Sequence, residues 1–326
     1  RRHVEAQGNY ETHGYAGFFG VPMQHQPYDS EERVKSCPPI VDPKHRIAER
    51  PSERHRDRAD RYDGWTRLRA AGEGLLSTLK KNVAAAFGFV EGSGGFFGGA
   101  MAARTLFPSG LFRLGETVDE RLPGPEFFCE PTVDRETADP HEHDGLPVGL
   151  SHKARVLYAE AAFRLMGWTE FAPIVVFTGH GSQTPNNPYK SSLDCGACAG
   201  NPGGPNARVL AAICNDEAVR EDLRERGLDI PEDTVFLAGQ HNTTTDAIRL
   251  FVDEEDPPVS AEALDRLRRD LQAARSEATA ERVETMNATV DAGRSEASIQ
   301  ETQRRAADWA ETRPEWGLAG NAGFII

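Results

Sequence analysis

The segment Ile174-Val175-Val176-Phe177-Thr178-Gly179-His180-Gly181-Ser182 opens with four apolar residues and closes in glycines. A short unbroken apolar run marks a strand buried on both faces, as in the middle of a parallel sheet. The run Thr234-Val235-Phe236-Leu237 reads the same way and ends in Ala238-Gly239-Gln240-His241-Asn242-Thr243-Thr244-Thr245-Asp246. Between them, residues 207–226 have the spacing of a helix interrupted near Asn215. Strand, helix, strand predicts a parallel α/β unit. Such sheets bind ligands beyond the strand C-termini, so the His180 and His241 loops are expected to meet there.

Outward from this unit the chain divides into four stretches. Residues 1–150 are a Gly/Pro-rich segment with a helical insertion, 151–252 the α/β core with a zinc-type site, 253–312 a charged helical arm, and 313–326 a return to the core. The aromatic and glycine mixture from Asn9 to Gly20 predicts loop and short strand packed at a site or interface. Helical spacing over 60–90 runs through Trp65, Leu68, Leu75, Leu76, Leu79, Val83 and Phe87, and is predicted to stop at Glu91-Gly92-Ser93-Gly94-Gly95. Phe97 stands where a dinucleotide loop needs its third glycine, so that stretch predicts a helix C-cap, not a nucleotide site. Residues 152–167 predict a helix with Val156, Leu157, Phe163, Leu165 and Met166 as core. In the arm, Ser260 is a good N-cap, and Leu264, Leu267 and Leu271 form a narrow stripe that fades into Ala274 and Ala278, which reads as one thin packing face of a helical hairpin.

Composition narrows the function. The 326 residues carry 37 basic and 51 acidic side chains, a net charge of −14. Nucleic-acid binding is disfavoured, because phosphate backbones need a basic face. Lys supplies only 6 of the basic residues and Arg the other 31. An acidic, Lys-poor surface reads as halophilic, with self-repulsion relieved by salt; a GC-rich genome would give the same Arg bias. The longest apolar runs are about eight residues, far short of the ~18 of a membrane span, so membrane contact is expected only through a partner. Five scattered cysteines argue for reduced thiols or metal ligands over a disulfide scaffold. The first residue is Arg1 and the last are Gly323-Phe324-Ile325-Ile326, so both ends read as cut from something larger.

The chemistry concentrates in Thr178-Gly-His180-Gly-Ser-Gln-Thr-Pro-Asn-Asn187-Pro-Tyr189-Lys-Ser-Ser-Leu-Asp194-Cys195-Gly-Ala-Cys198-Ala-Gly200. An imidazole at a strand end and two thiols in a glycine-flexible loop suit zinc, which takes tetrahedral nitrogen and sulfur ligands. His180, Cys195 and Cys198 are the candidates. Cys-x-x-Cys also permits a redox pair, and inert buried thiols remain a third reading. His241 reads as a hydrogen-bonded loop histidine. Asp194 and Asp246 are the nearest carboxylates to orient a ligating imidazole. Cys37, Cys129 and Cys214 read as structural, and His141-Glu142-His143-Asp144 as a loop between prolines and glycine.

Four segments resemble the DabA family: the His180–Gly200 window, His241–Asp246, Gln7–Gly20, and Arg313-Pro314-Glu315-Trp316-Gly317-Leu318-Ala319-Gly320-Asn321-Ala322. The resemblance spans nearly the whole chain. It implies a core similar to β-carbonic anhydrase and one Zn2+ held by Cys, Asp, His and Cys. The last two ligands match His180 and Cys195; Cys198 belongs to the motif without being a ligand. The first two belong to a Cys-x-Asp-x-Arg motif expected upstream of Arg1. The implied function is energy-coupled uptake of inorganic carbon, with CO2 hydrated to bicarbonate at a zinc-hydroxide. The implied partner is a DabB-type membrane subunit, placing the protein peripherally on the cytoplasmic side of the cell membrane. A stand-alone zinc enzyme (carbonic anhydrase or hydrolase) and a non-catalytic zinc-stabilised scaffold are the alternatives.

Overall fold

The computed structural model describes residues 1–111, 114–115, 124–135, 145–183, 200–253, 255–286 and 295–311. The chain opens with a short helix, α1 (Arg2–Glu5), and continues into a four-stranded sheet. Its strands are β1 (Met23–Gln26), β2 (Val34–Ser36), β3 (His45–Pro51) and β4 (Cys129–Pro131), in the order β2-β1-β3-β4. β1 is antiparallel to β2 and parallel to β3, and β3 is antiparallel to β4. Between β3 and β4 rise two long helices, α2 (Arg56–Lys81) and α3 (Ala86–Leu106).

A second sheet, of order β5-β6-β7, comprises β5 (Ile174–Gly181), β6 (Val235–Asn242) and β7 (Ile248–Leu250). β5 and β6 are parallel over eight residue pairs, from Ile174 opposite Val235 to Gly181 opposite Asn242. β7 is antiparallel to β6. The expected parallel core is therefore corrected to two small mixed sheets, each with one parallel pair. The expected strand, helix, strand unit is present: α5 (Gly204–Asn215) and α6 (Glu217–Glu225) lie between β5 and β6, after α4 (His152–Met166). The break at Asn215 arises because Asp216 leaves the helical region and caps α6, accepting from the Val219 amide at 3.2 Å.

The apolar strand runs are unbroken because both faces are covered. Val175, Phe177, Phe236 and Ala238 belong to the main core with Val156, Phe163, Leu210 and Ile213. The alternate residues Ile174, Val176, Val235 and Leu237 face a second cluster with Leu264 and Leu267 of α7 (Ala261–Thr285). The α7 stripe thus does what its spacing predicted, and Ser260 accepts from the Ala263 amide at 3.3 Å as its cap. α8 (Ser295–Ala307) packs on α7 as the expected hairpin. Phe19, Val21, Met23 and Ile47 enter the main core as well, so β1 and β3 of the first sheet share a core with the α/β unit.

Two expectations fail on helices. The glycines at 92, 94 and 95 do not end a helix; α3 runs through them with none in the left-handed region. Glycine lowers helix propensity but keeps its N–H, so it weakens a helix without breaking it. The real break is at Asn82, whose backbone turns extended and whose Oδ1 accepts from the Ala84 and Ala85 amides at 2.9 and 3.1 Å. On α4, Val156 and Phe163 are buried as expected, but Leu157 and Leu165 are 55% and 87% exposed. Their positions fall outside the arc that packs on α5 and α6. The structural reading of Cys37, Cys129 and Cys214 holds: all three are free and buried. Burial, with the Glu49 carboxylate nearby, pushes the Cys129 thiol up to about 12.

Candidate metal centre

The two strand ends meet as expected, and more closely: His180 and His241 are opposite each other in the β5–β6 ladder. Both lie within strands, not in the following loops, because the parallel pairing continues to Gly181 and Asn242. Beyond them the backbones are stitched together. The Thr243 amide and hydroxyl both donate to the Gly181 carbonyl, at 2.8 and 3.0 Å. The Gln183 amide donates to the Thr244 hydroxyl at 3.1 Å, and the Asn242 side-chain amide to Gln183 Oε1 at 3.1 Å.

His180 sits in a cradle of glycines. A Cβ at Gly17 would stand 2.9 Å from His180 Cε1 and 3.2 Å from Nδ1, so a larger residue at 17 would require the ring or the chain to shift. On the other side the Gly203 amide donates to the His180 carbonyl at 2.8 Å, and Gly179 packs directly on the Gly203 backbone. Asn206, fully buried on α5, donates its side-chain amide to the carbonyls of Phe18, Val21 and Ser36 at 3.0–3.1 Å. That anchor holds the segment carrying Gly17 in place. The aromatic and glycine stretch therefore packs at the site as predicted.

The imidazole of His180 is shielded from water at both ring nitrogens, and neither has a hydrogen-bond partner among the described residues. Two sealed, unmatched polar atoms cost free energy unless something else satisfies them. The carboxylate expected to orient His180 serves its neighbour instead: Asp246 Oδ1 lies 3.2 Å from His241 Nε2. His241 is thus a hydrogen-bonded histidine, as its sequence context suggested. Cys195, Cys198 and Asp194 lie outside the described residues, as does the 141–144 cluster. Among the described residues no group of three or more His, Cys, Asp or Glu side chains could hold a metal ion.

One site residue escaped the sequence reading. Arg282 of α7 is only 2% exposed. It donates to the Thr244 carbonyl and to Asp246 Oδ1, both at 2.7 Å. Arg275, two turns earlier, donates to the Thr245 carbonyl at 3.1 Å. The loop after β6, including Asp246 at φ 55°, is thereby clamped to the arm. The available signal was position: Arg282 continues the stripe Leu264, Leu271, Ala278, where an apolar residue belongs. A charged residue on a buried stripe needs a buried partner.

The family model described as "Probable inorganic carbon transporter subunit DabA" matches residues 1–326. A protein of that description from Salinibacter ruber is 77% identical over 328 residues, covering 100% of this chain and 40% of its own length. Those from Natronomonas pharaonis and Legionella pneumophila (strain Philadelphia 1) are 56% and 38% identical, again across 100% of this chain and 39% and 41% of theirs. This chain thus spans about two-fifths of the length of the curated relatives it matches. No solved structure matches it. Agreement across the entire chain, extending over the His180 cradle and the clamped His241 loop alike, leaves one assignment: the chain belongs to the DabA family.

Proposed function

We propose that this chain carries half of the zinc site of an inorganic-carbon uptake subunit whose core is of the β-carbonic anhydrase type. The observation that supports this is the imidazole of His180, sealed at both nitrogens and without a hydrogen-bond partner among the described residues. One of those nitrogens is available to meet a metal ion, and the glycine cradle fits that role by keeping bulk away from the ring. His180 and Cys195 would hold the ion, with two further ligands from the part of the protein outside this chain. Zinc bound there supplies Lewis-acid activation of water for the hydration of CO2 to bicarbonate.

The chain's own residues do the positioning. The β5–β6 ladder fixes the height of His180, Gly17 and Gly203 fix its ring plane and carbonyl, and Arg282 fixes the neighbouring loop through Asp246. Uptake against a gradient requires the hydration to be driven in one direction, which this reading assigns to a DabB-type membrane subunit. The protein then works peripherally, on the cytoplasmic side of the cell membrane. Among the described residues no helix is long and apolar enough to cross a membrane.

Metal analysis of the full-length protein, co-produced with its partner, tests the reading. His180→Ala and Cys195→Ser should each lose stoichiometric zinc, because a hydroxyl replaces a thiolate poorly. Cys198→Ser should keep it. Full zinc in His180→Ala would sink the assignment, and equal loss in both cysteine variants would favour a closed Cys-x-x-Cys scaffold.

A further inference from the structure

The first turn of the chain is fastened to the arm by charge. α1 packs against α7, and its histidine reaches two carboxylates at once. His3 Nδ1 lies 3.3 Å from Glu277 Oε2, and Nε2 lies 3.1 Å from Glu281 Oε2. Among the described residues no other imidazole meets a carboxylate at both nitrogens. Glu277 and Glu281 stand one turn apart on α7, a spacing at which like charges repel. Arg2 pairs with Glu281 Oε1, and the Gln7 side-chain amide donates to Glu277 Oε1 at 3.0 Å. The other charged side chains of this turn, Arg1 and Glu5, are bonded to Thr12 instead.

The contact is complete in one protonation state only. A neutral imidazole has one N–H donor and one bare acceptor nitrogen, an imidazolium has two donors, and an ionised carboxylate only accepts. Neutral His3 would therefore satisfy one glutamate and turn a lone pair on the other, whereas the imidazolium bonds both. The charges agree. Two carboxylates and the Arg2 guanidinium leave one negative charge uncompensated, which the imidazolium cancels. Lysine or arginine would hold the glutamates throughout the physiological range; imidazole is the side chain whose charge changes near neutrality. The His3 side chain is 23% exposed, so protons reach it from water.

The neighbours define what the contact holds. The Tyr10 hydroxyl donates to Asp270 Oδ2 at 2.6 Å and its ring packs on the second apolar cluster, so the chain from Tyr10 onward is seated without His3. Between the two anchors lies Gly8 at φ 150°, a conformation that glycine adopts freely. The stretch before Gly8 can swing on that residue while the rest stays in place. Glu281 adjoins Arg282, so this contact joins the start of the chain to the turn of α7 that clamps the Asp246 loop.

We propose that His3 is a proton-operated latch. Protonated, it fastens residues 1–7 to Glu277 and Glu281 of the arm; neutral, it releases them.

Hydrogen exchange followed by mass spectrometry on the full-length protein tests this, between about pH 5.5 and 8.5, the range in which imidazole titrates, with each rate corrected for intrinsic exchange at that pH. The amides of Val4, Glu5 and Ala6 bond to the carbonyls of Arg1 and Arg2. Their protection should fall about three- to tenfold as pH rises, the size expected of two part-exposed charge pairs. A peptide from α5, buried in the main core, should keep its protection. His3→Gln should flatten the response, and so should Glu277→Gln with Glu281→Gln, which leaves the imidazole in place. A flat profile in the wild type would overturn the latch, as would a response that survives in either variant. A loss matched by the α5 peptide would also overturn it, because pH would then be acting on the whole fold.

Discussion

Replacing Arg282 by methionine removes the one side chain that ties the His241 loop to the arm through a buried charge. The guanidinium is 2% exposed and the Asp246 carboxylate it meets is 9% exposed. Methionine has similar length and fills the space, so the loss is electrostatic. Two 2.7 Å bonds vanish, to Thr244 O and to Asp246 Oδ1, while His241 still faces the carboxylate at 3.2 Å. Breaking a buried pair from one side costs about 3–5 kcal/mol, because an uncompensated charge stays behind. With an unfolding entropy of about 2.1 cal/mol/K per residue, a change of 1 kcal/mol moves Tm by about 1.5 °C for a cooperative unit of this size. The expected fall is therefore about 4–8 °C, measured by circular dichroism on the full-length protein at fixed salt. Adding Asp246→Asn should recover part of it, since no charge is then stranded, and a double-mutant cycle should return a coupling of order 0.5–3 kcal/mol. A fall below about 2 °C, or a double variant that loses the plain sum of the two single losses, would refute the clamp.

Gly17→Ala should place a methyl 2.9 Å from His180 Cε1; overpacking of this kind costs about 1–3 kcal/mol, and reduced zinc occupancy with a preserved circular dichroism spectrum is the expected readout. Burial would raise the Glu49 carboxyl, but Arg208 at 2.6 Å and His25 at 3.2 Å outweigh it and hold the group below its ordinary value of 4.5. A lowered carboxylate stabilises the fold fully above its unfolded value, and that contribution is lost as pH falls through the folded one. Urea midpoints taken downward from pH 5 should therefore decline less in Glu49→Gln than in wild type. With a net charge of −14, Tm should rise between 0.1 M and 1 M salt as the screening length drops from ~10 to ~3 Å; a flat profile would reject the halophilic expectation.

The β5–β6 unit was legible because burial on both faces leaves a continuous apolar run, and few other elements produce one. The arm was legible because its cap and stripe are local. The glycine run in α3 misled, since glycine weakens a helix without ending it and the stop came earlier, at Asn82. His180 was legible from its place after an apolar strand. The Asp246–Arg282 contact was not, because it joins residues 36 positions apart through a loop whose shape depends on the contact itself.

The reach of that contact has a consequence for synthesis. The ribosome makes β5 and β6 before α7, and domains begin to fold as they emerge. The strand ladder that seats His180 can form as soon as Asn242 is free, but the loop holding Asp246 stays unfastened until Arg282 has left the exit tunnel. For the time taken to add those residues, Thr244 and Asp246 lack the bonds that Arg282 will make to them. Arrival of the arm then fastens the loop, so a truncation or pause before Arg282 would yield chains with a formed sheet and an unlatched rim.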